Sequence, residues 1–364
     1  MRNHVSYGAA ALALAAAGIV LAGCATPPSE ASGSGAAAAS DVLACMDSGE
    51  SGIKDKSFNE SSWNGFTKAE SELGVEVKVA ESKDTSQYLP NLQSLVRQDC
   101  DIIATMGYDM QDITVQEATA NPDTHFMTID DQPPGDLPNV KPILFNTADA
   151  SYLAGYLAAG MTTTGKVGTY GGQLIPTVTL FMDGFADGVA KYNDDNATSV
   201  EVVGWDKAAQ NGSATGDWND TNLAKQLSSR MIDQGVDIIM PVAGGAGTGT
   251  LAAIRDANAA GKDVKAIWVD TDGYETVPEY KDLFLTSVMK RIDSGVFSVI
   301  QEQQDGGFSS DPYVGTLAND GVGLAPFHDF ESAIPTDLQA TLDELATQIS
   351  DGTIVIDSPS IPKA

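Results

Sequence analysis

Basic residues are scarce in this chain of 364 residues: 20 Lys and Arg stand against 50 Asp and Glu, for a formal charge of −30. No long run of one sign accounts for the excess, which reads as a heavily solvated acidic surface. Such a surface repels phosphates, so it excludes binding to polymeric nucleic acid or to anionic lipid through the folded surface; a small neutral ligand stays allowed. Histidine is scarcer still, with three in all: His4 near the N-terminus, His125 opening an apolar run and His328 in a loop. No G-x-S-x-G elbow, H-E-x-x-H pair or Cys/His cluster with metal spacing is present. Hydrolytic and metal chemistry therefore have no motif to stand on, and neither cofactor nor metal is expected.

Long apolar runs are missing too. Ala9 to Ala22 is apolar but short and Ala-rich, which suits a secretory signal better than a membrane span. It follows Arg2 and ends in Leu21-Ala22-Gly23-Cys24, which resembles a bacterial lipobox. In that reading residues 1–23 are a signal peptide, Cys24 carries lipid, and residues 24–40, rich in Pro, Ser, Gly and Ala, are a tether. Two cysteines remain, Cys45 and Cys100, in an exported chain where a disulfide is permitted. Their strands would neighbour each other with the sulfurs about five residues out of register, roughly 16 Å at the strand rise. Two buried free thiols are expected.

What the chain does contain, from Val42 onward, is alternation. Apolar strand-like runs at 42–46, 75–80, 101–107, 125–130 and 140–146 are separated by helical patterns, and a second series follows at 167–170, 200–205, 236–242, 264–269 and 283–289. Apolar strands divided by helices indicate parallel βαβ units with both sheet faces covered. The fold class is α/β, with two lobes and a cleft between them. No Pro/Gly linker separates the series, so we expect several short crossings: near 146–149, 276–283 and 311–322. The expected lobes are 41–147 plus 284–312, and 148–283 plus 313–364.

On positional grounds the stretch from Asp47 to Asn59 is expected to meet a ligand. Ser57 and Glu60 have capping-box spacing, which starts a helix at Ser57 and sets Phe58 and Asn59 in its first turn. In open α/β sheets, ligands collect at that end of the strands. Asp47, Phe58 and Asn59 are thus candidate contacts, although Phe58 as a hydrophobic staple and Asn59 as plain surface fit the segment equally well. Other candidates sit at strand ends: Tyr108, the pair Asp130 and Asp131, Trp218 before a helix, Asp270 and Lys290. The run Ala243 to Thr250 is glycine-rich but lacks the Lys of a phosphate-binding loop. Gly244 and Gly245 there offer close backbone approach to a hydroxylated ligand, or only a tight turn. Paired carboxylates such as Asp130 and Asp270 also fit a glycosidase or nucleoside hydrolase.

Several segments together resemble the basic membrane protein (BMP) family: Asp55-Lys56-Ser57-Phe58-Asn59, Tyr152-Leu153-Ala154-Gly155-Tyr156, Ala243-Gly244-Gly245-Ala246-Gly247, Val288-Met289-Lys290-Arg291 and Gly321-Val322-Gly323-Leu324-Ala325-Pro326-Phe327. These are substrate-binding lipoproteins of ABC importers, best known as purine nucleoside receptors, and the similarity runs in order from Val42 to the C-terminus. It implies a two-lobed periplasmic-binding-protein-like (type I) fold, no enzymatic activity, and a monomer held by lipid on the extracytoplasmic face of the cell membrane. The implied partners are a nucleoside and the membrane permease subunits. By this resemblance Phe58 and Trp218 stack on the two faces of the base, Trp218 standing where the family usually has Phe. Asp47, Asn59 and Asp130 or Asp131 bond the base edge. Asp270 accepts the ribose hydroxyls, Lys290 donates to the sugar, Gly244 and Gly245 lie against it, and Tyr108 and Met110 line the pocket. Rival readings are a sugar or another small signal in the same fold, or an interaction protein without a ligand.

Overall fold

The computed structural model describes residues 40–362. The expected signal peptide and the expected lipidation site Cys24 lie outside the described residues. In chain order the first series comprises β1 (Leu43–Asp47), α1 (Phe58–Leu73), β2 (Glu76–Ala80), α2 (Tyr88–Val96), β3 (Ile102–Met106), α3 (Gln111–Ala120), β4 (His125–Ile129) and β5 (Val140–Phe145). The second comprises α4 (Thr147–Met161), β6 (Lys166–Gly171), α5 (Pro176–Asn196), β7 (Glu201–Val203), the small pair β8 (Trp205–Asp206) and β9 (Asn211–Gly212), α6 (Thr221–Asp233), β10 (Ile238–Val242), α7 (Thr248–Ala259), β11 (Lys265–Asp270), α8 (Gly273–Thr276) and β12 (Phe284–Lys290). The chain ends with α9 (Ile292–Gln304), β13 (Tyr313–Gly315), β14 (Val322–Leu324) and α10 (Thr336–Ser350).

Two six-stranded sheets result, ordered β13-β5-β4-β3-β1-β2 and β14-β12-β11-β10-β6-β7. All pairings are parallel except β12 with β14. The central strands β3, β10 and β12 are buried at every residue, as apolar runs covered by helices on both faces must be. Among the described residues no helix is long and apolar enough to cross a membrane. The small residues of α4 serve a close helix crossing: a Cβ on Gly155 would lie 2.0 Å from the Phe185 carbonyl oxygen of α5.

The sheets assign two strands differently from the expected lobes. β12, within 284–312, belongs to the second sheet, and β13, within 313–364, belongs to the first. The chain therefore crosses at residue 146, at 291 and at 316–321. The middle crossing lies beyond the 276–283 segment because β12 is buried along its whole length and completes the second sheet before α9 returns to pack on α1. A Cβ on Gly65 of α1 would meet the Asp293 carbonyl oxygen at 2.6 Å, which shows how closely these two helices approach.

The expectation of free thiols is overturned: Cys45 and Cys100 form a disulfide, with Cα atoms 6.0 Å apart. Two features explain the difference. The β1–β3 register sets Cys45 opposite Ile103, three residues from Cys100 and not five. Cys100 is also outside the strand. It follows Asp99, at φ 56°, in the turn that closes α2, where its N–H donates to the Leu95 carbonyl. An extended-chain rise does not apply to a residue that doubles back.

Candidate functional site

The segment between β1 and α1 is organised by Asp55. Its carboxylate accepts the backbone N–H groups of Ser57 (3.0 Å), Asn59 (2.9 Å) and Glu60 (3.0 Å), together with the Asn59 side-chain amide (2.9 Å). A carboxylate at this helix terminus satisfies donors that have no partner inside the helix and meets the positive end of its dipole. The capping box expected of Ser57 and Glu60 is absent, because Asp55 already fills that role. Glu60 accepts instead from the Lys56 N–H at 3.3 Å. Ser57 Oγ, released from capping, donates to Asp270 of the opposite sheet.

That bond is one of several across the cleft. Lys56 O accepts from Trp268 Nε1 (3.3 Å) and Thr271 Oγ1 (2.9 Å), and Ser51 Oγ donates to Asn219 Oδ1 (2.8 Å). The lobes are thus closed on each other. Between them lies a cavity of about 780 Å³ of atom-free space, its opening to solvent included.

Phe58, Asn59, Tyr108, Asp130, Trp218, Gly244, Asp270 and Lys290 all border this cavity. Phe58 comes from the first lobe, its ring near Gly107 at the end of β3. Trp218 comes from the second, its indole packed so tightly on Gly172 that a Cβ there would lie 2.4 Å away. The side chain of Asn59 borders the space while its Oδ1 accepts from the Gly49 N–H at 2.8 Å and its amide serves Asp55. Tyr108 is half exposed, at the mouth.

Lys290 is the electrostatic centre. Only 3% exposed, it bonds Asp130 of the first lobe and stands 3.6 Å from Asp270 of the second. Burial by itself would depress the ammonium, but Asp130 and Asp270 outweigh it and hold Lys290 above its usual value. Burial pushes the Asp130 carboxyl up, against the pull of Lys290. Asp130 and Asp270 both take left-handed backbone, at φ 56° and 69°, a conformation that costs a residue with a Cβ about 1–2 kcal/mol. They occupy matching places, after β4 in one sheet and at the end of β11 in the other. The ammonium also lies 5.5 Å from the Phe58 ring centroid and 4.9 Å from that of Phe181, within cation–π range.

Four expected contacts fall elsewhere. Asp47 is fully buried beneath the cavity and does not border it; Oδ1 accepts from Ser82 Oγ at 3.0 Å, and Oδ2 has no partner among the described residues. Asp131 turns away from the main cavity and accepts from Gln111 Nε2 at 2.6 Å. Gly245 faces Asp55 across the lobes, leaving only Gly244 on the cavity wall. Met110 is buried, its sulfur 3.2 Å from the Met106 N–H, and Met106 borders the cavity in its place. For Asp47, Asp131 and Met110 the local backbone aims the side chain to the other side, which position in the chain does not reveal.

Phe181, Glu50 and Asp55 border the cavity without having been expected there. A signal for Phe181 exists: Gly171 ends β6 and Gly172 follows it, and Pro176 opens α5, the residue type that favours a first helical position. Burial raises Glu50, and Asp217, Asp109 and Asp84 raise it further, so the mouth carries several facing carboxylates. Among the histidines, His125 stacks on Phe308 with ring centroids 3.9 Å apart, and His328 pairs with Asp272 at 2.7 Å.

Burial pushes Asp47 up to about 8, from an ordinary value of 3.8. Above pH ~4 the unfolded chain releases this proton while the folded protein keeps it, so stability falls as pH rises, until the folded carboxyl itself ionises near pH 8. Asp131, pushed up to about 7, acts with the same sign. Asp47→Asn is expected to raise the melting temperature more at about pH 8 than at about pH 5. Equal gains at both pH values in thermal unfolding would show that Asp47 ionises normally.

Residues 42–357 match the family described as ABC transporter substrate-binding protein PnrA-like. The chain is 30% identical to a "CD4+ T-cell-stimulating antigen" of Listeria innocua, over 94% of this chain and 95% of that one. It is 28% identical to the "ABC transporter nucleoside-binding protein BmpA" of Lactococcus lactis, over 98% and 99%. A solved solute-binding protein of an ABC transporter system from Aeropyrum pernix K1 superposes with a TM-score of 0.78 at 26% identity, covering 87% of this chain and 93% of that one. A family match over residues 42–357, with a relative 30% identical over nearly the whole of both chains, shows that the chain belongs to the PnrA-like (Bmp) family of ABC transporter substrate-binding proteins.

Proposed function

We propose that this protein captures a nucleoside, a purine one by preference, in the inter-lobe cavity and delivers it to a membrane permease, itself held as a monomer by lipid on Cys24 at the extracytoplasmic face. One observation carries the reading: Phe58 and Trp218, aromatic side chains from opposite lobes, border the same cavity as Lys290, Asp130 and Asp270. The rings provide flat faces for a heterocycle, and the charged trio provides a donor and acceptors for hydroxyls and ring edges. The carboxylates around Glu50 disfavour a phosphate-bearing ligand. The name of the Lactococcus lactis relative is in keeping with this class of ligand.

The lobes are residues 41–146 with 292–315, and 147–291 with 316–362, hinged at the three crossings. Binding closes them and leaves the ligand chemically unchanged. Stacking on one aromatic face contributes ~1–3 kcal/mol, so Phe58→Ala and Trp218→Ala are each expected to weaken nucleoside binding by about tenfold or more. Calorimetric titration of both variants with a purine nucleoside checks this. Unchanged affinity in both would refute the two-sided clamp.

A further inference from the structure

Several donors on the wall of the main cavity are already engaged by the protein. Lys290 serves Asp130 and Asp270, the Asn59 amide serves Asp55, and Ser51 Oγ donates to Asn219. The carboxylates bordering the cavity add acceptors only. A heterocyclic base brings acceptors of its own, ring nitrogens whose in-plane lone pairs lose water on entering the cleft and need a donor in exchange.

Tyr88 offers one. It is the first residue of α2, and its ring belongs to the main hydrophobic core, so the residue is only 4% exposed. It nevertheless borders the cavity. Its hydroxyl makes no hydrogen bond among the described residues, yet it is not sealed in as Asp47 Oδ2 and Asp131 Oδ2 are; it keeps accessible surface. Burial holds the phenol above its usual range, and the carboxyls of Glu50, Asp109 and Asp47 push the same way, against the Glu50 backbone amide. The group therefore stays protonated and is able to donate. Glu50 and Asp109 border the same cavity, which sets the hydroxyl on its first-lobe side. A ring locked in the core also holds this donor in place before a ligand arrives, which lowers the entropy lost on binding.

We propose that Tyr88 is a specificity-determining residue of the main cavity, its hydroxyl donating to a ring nitrogen of a purine base. This rests on the nucleoside reading above and adds to it. Stacking on Phe58 and Trp218 accepts any flat base, whereas a fixed donor selects bases that carry an acceptor at one position.

Calorimetric titration of the parent protein and of Tyr88→Phe with adenosine and its 1-, 3- and 7-deaza analogues tests the assignment. The substitution keeps the ring and removes a hydroxyl without a protein partner, so thermal unfolding is expected to be nearly unchanged. Adenosine is expected to bind Tyr88→Phe ~tenfold more weakly. One analogue, lacking the nitrogen that Tyr88 serves, is expected to bind the parent ~tenfold more weakly than adenosine and to lose less than about twofold more in Tyr88→Phe. The other two analogues keep the full ~tenfold loss. The proposal is overturned if Tyr88→Phe changes adenosine affinity by less than about twofold. It is overturned equally if adenosine and all three analogues weaken by the same factor, which marks a packing role. Failure of adenosine to bind the parent also overturns it; failure of inosine, guanosine and cytidine besides overturns the nucleoside reading itself.

Discussion

Lys290→Ala is expected to destabilise the folded protein by about 3–5 kcal/mol, the usual consequence of removing one partner from a buried ion pair. The reason is local. Asp130 and Asp270 are each only 6% exposed, and Lys290 is the cation between them. Without it, two carboxylates that reach the same spot from different sheets must ionise side by side or take up protons. The added substitution Asp130→Asn is expected to return part of the loss, because it removes one of the stranded charges. Chemical denaturation followed by tryptophan fluorescence measures both effects. A loss below about 1 kcal/mol for Lys290→Ala would mean that water reaches the carboxylates and the trio is effectively a surface pair. Ligand binding should fail in the same variant, since Lys290 joins the two lobes at the cavity wall.

The second large effect is expected from the disulfide. Cys45 and Cys100 are separated by 55 residues, and closing a loop of that length restricts the unfolded chain by about 4 kcal/mol in the chain-entropy treatment. The double variant Cys45→Ala/Cys100→Ala is expected to lose that stability, with little change in ligand affinity because neither sulfur borders the cavity. The variant is a better probe than a reductant, which reaches the sulfurs poorly: the two residues are 0% and 3% exposed. Guanidinium unfolding of the variant beside the oxidised parent gives the difference. Less than about 1 kcal/mol would mean that the unfolded chain stays compact enough for the bridge to restrict little.

Much of the architecture follows from local pattern. The runs that became β3 and β10 are apolar at nearly every position, and only a sheet covered on both faces buries such a strand completely. The helix after β1 was legible from the residues around Ser57, although its cap was not. Ser57 and Asp55 both qualify as capping residues by type, and the choice depended on Asp270 reaching Ser57 from the other lobe. The fate of β12 shows the same limit. Its composition marks a buried strand equally well in either sheet, and only its pairing with β11 and β14 places it.

The site divides in a similar way. Residue type and position at strand ends were enough to nominate Phe58, Trp218, Asp130, Asp270 and Lys290, because the βαβ rule sends those ends to one edge of each sheet. Neither composition nor spacing reveals that Lys290 binds both aspartates, or that Asp130 and Asp270 hold left-handed backbone. Asp47 and Asp131 were nominated on the same grounds and point elsewhere: alternation along β1 reverses the side-chain direction at every residue, and the left-handed turn at Asp130 redirects the chain before Asp131.

What the amino-acid sequence determined by itself is therefore the ten longer strand runs with the helices between them, their parallel arrangement in two lobes, and the end of each sheet where a ligand would meet the chain, since these depend on apolar period and on residues near one another along the backbone; the short strands β8, β9, β13 and β14 carry no such signal. Only the tertiary structure decided the Cys45–Cys100 bridge, the sheet that received β12, and the meeting of Lys290 with Asp130 and Asp270. Those outcomes depend on register and on groups as far as 160 residues apart, whose distance in space is set by how whole sheets pack and not by any local preference.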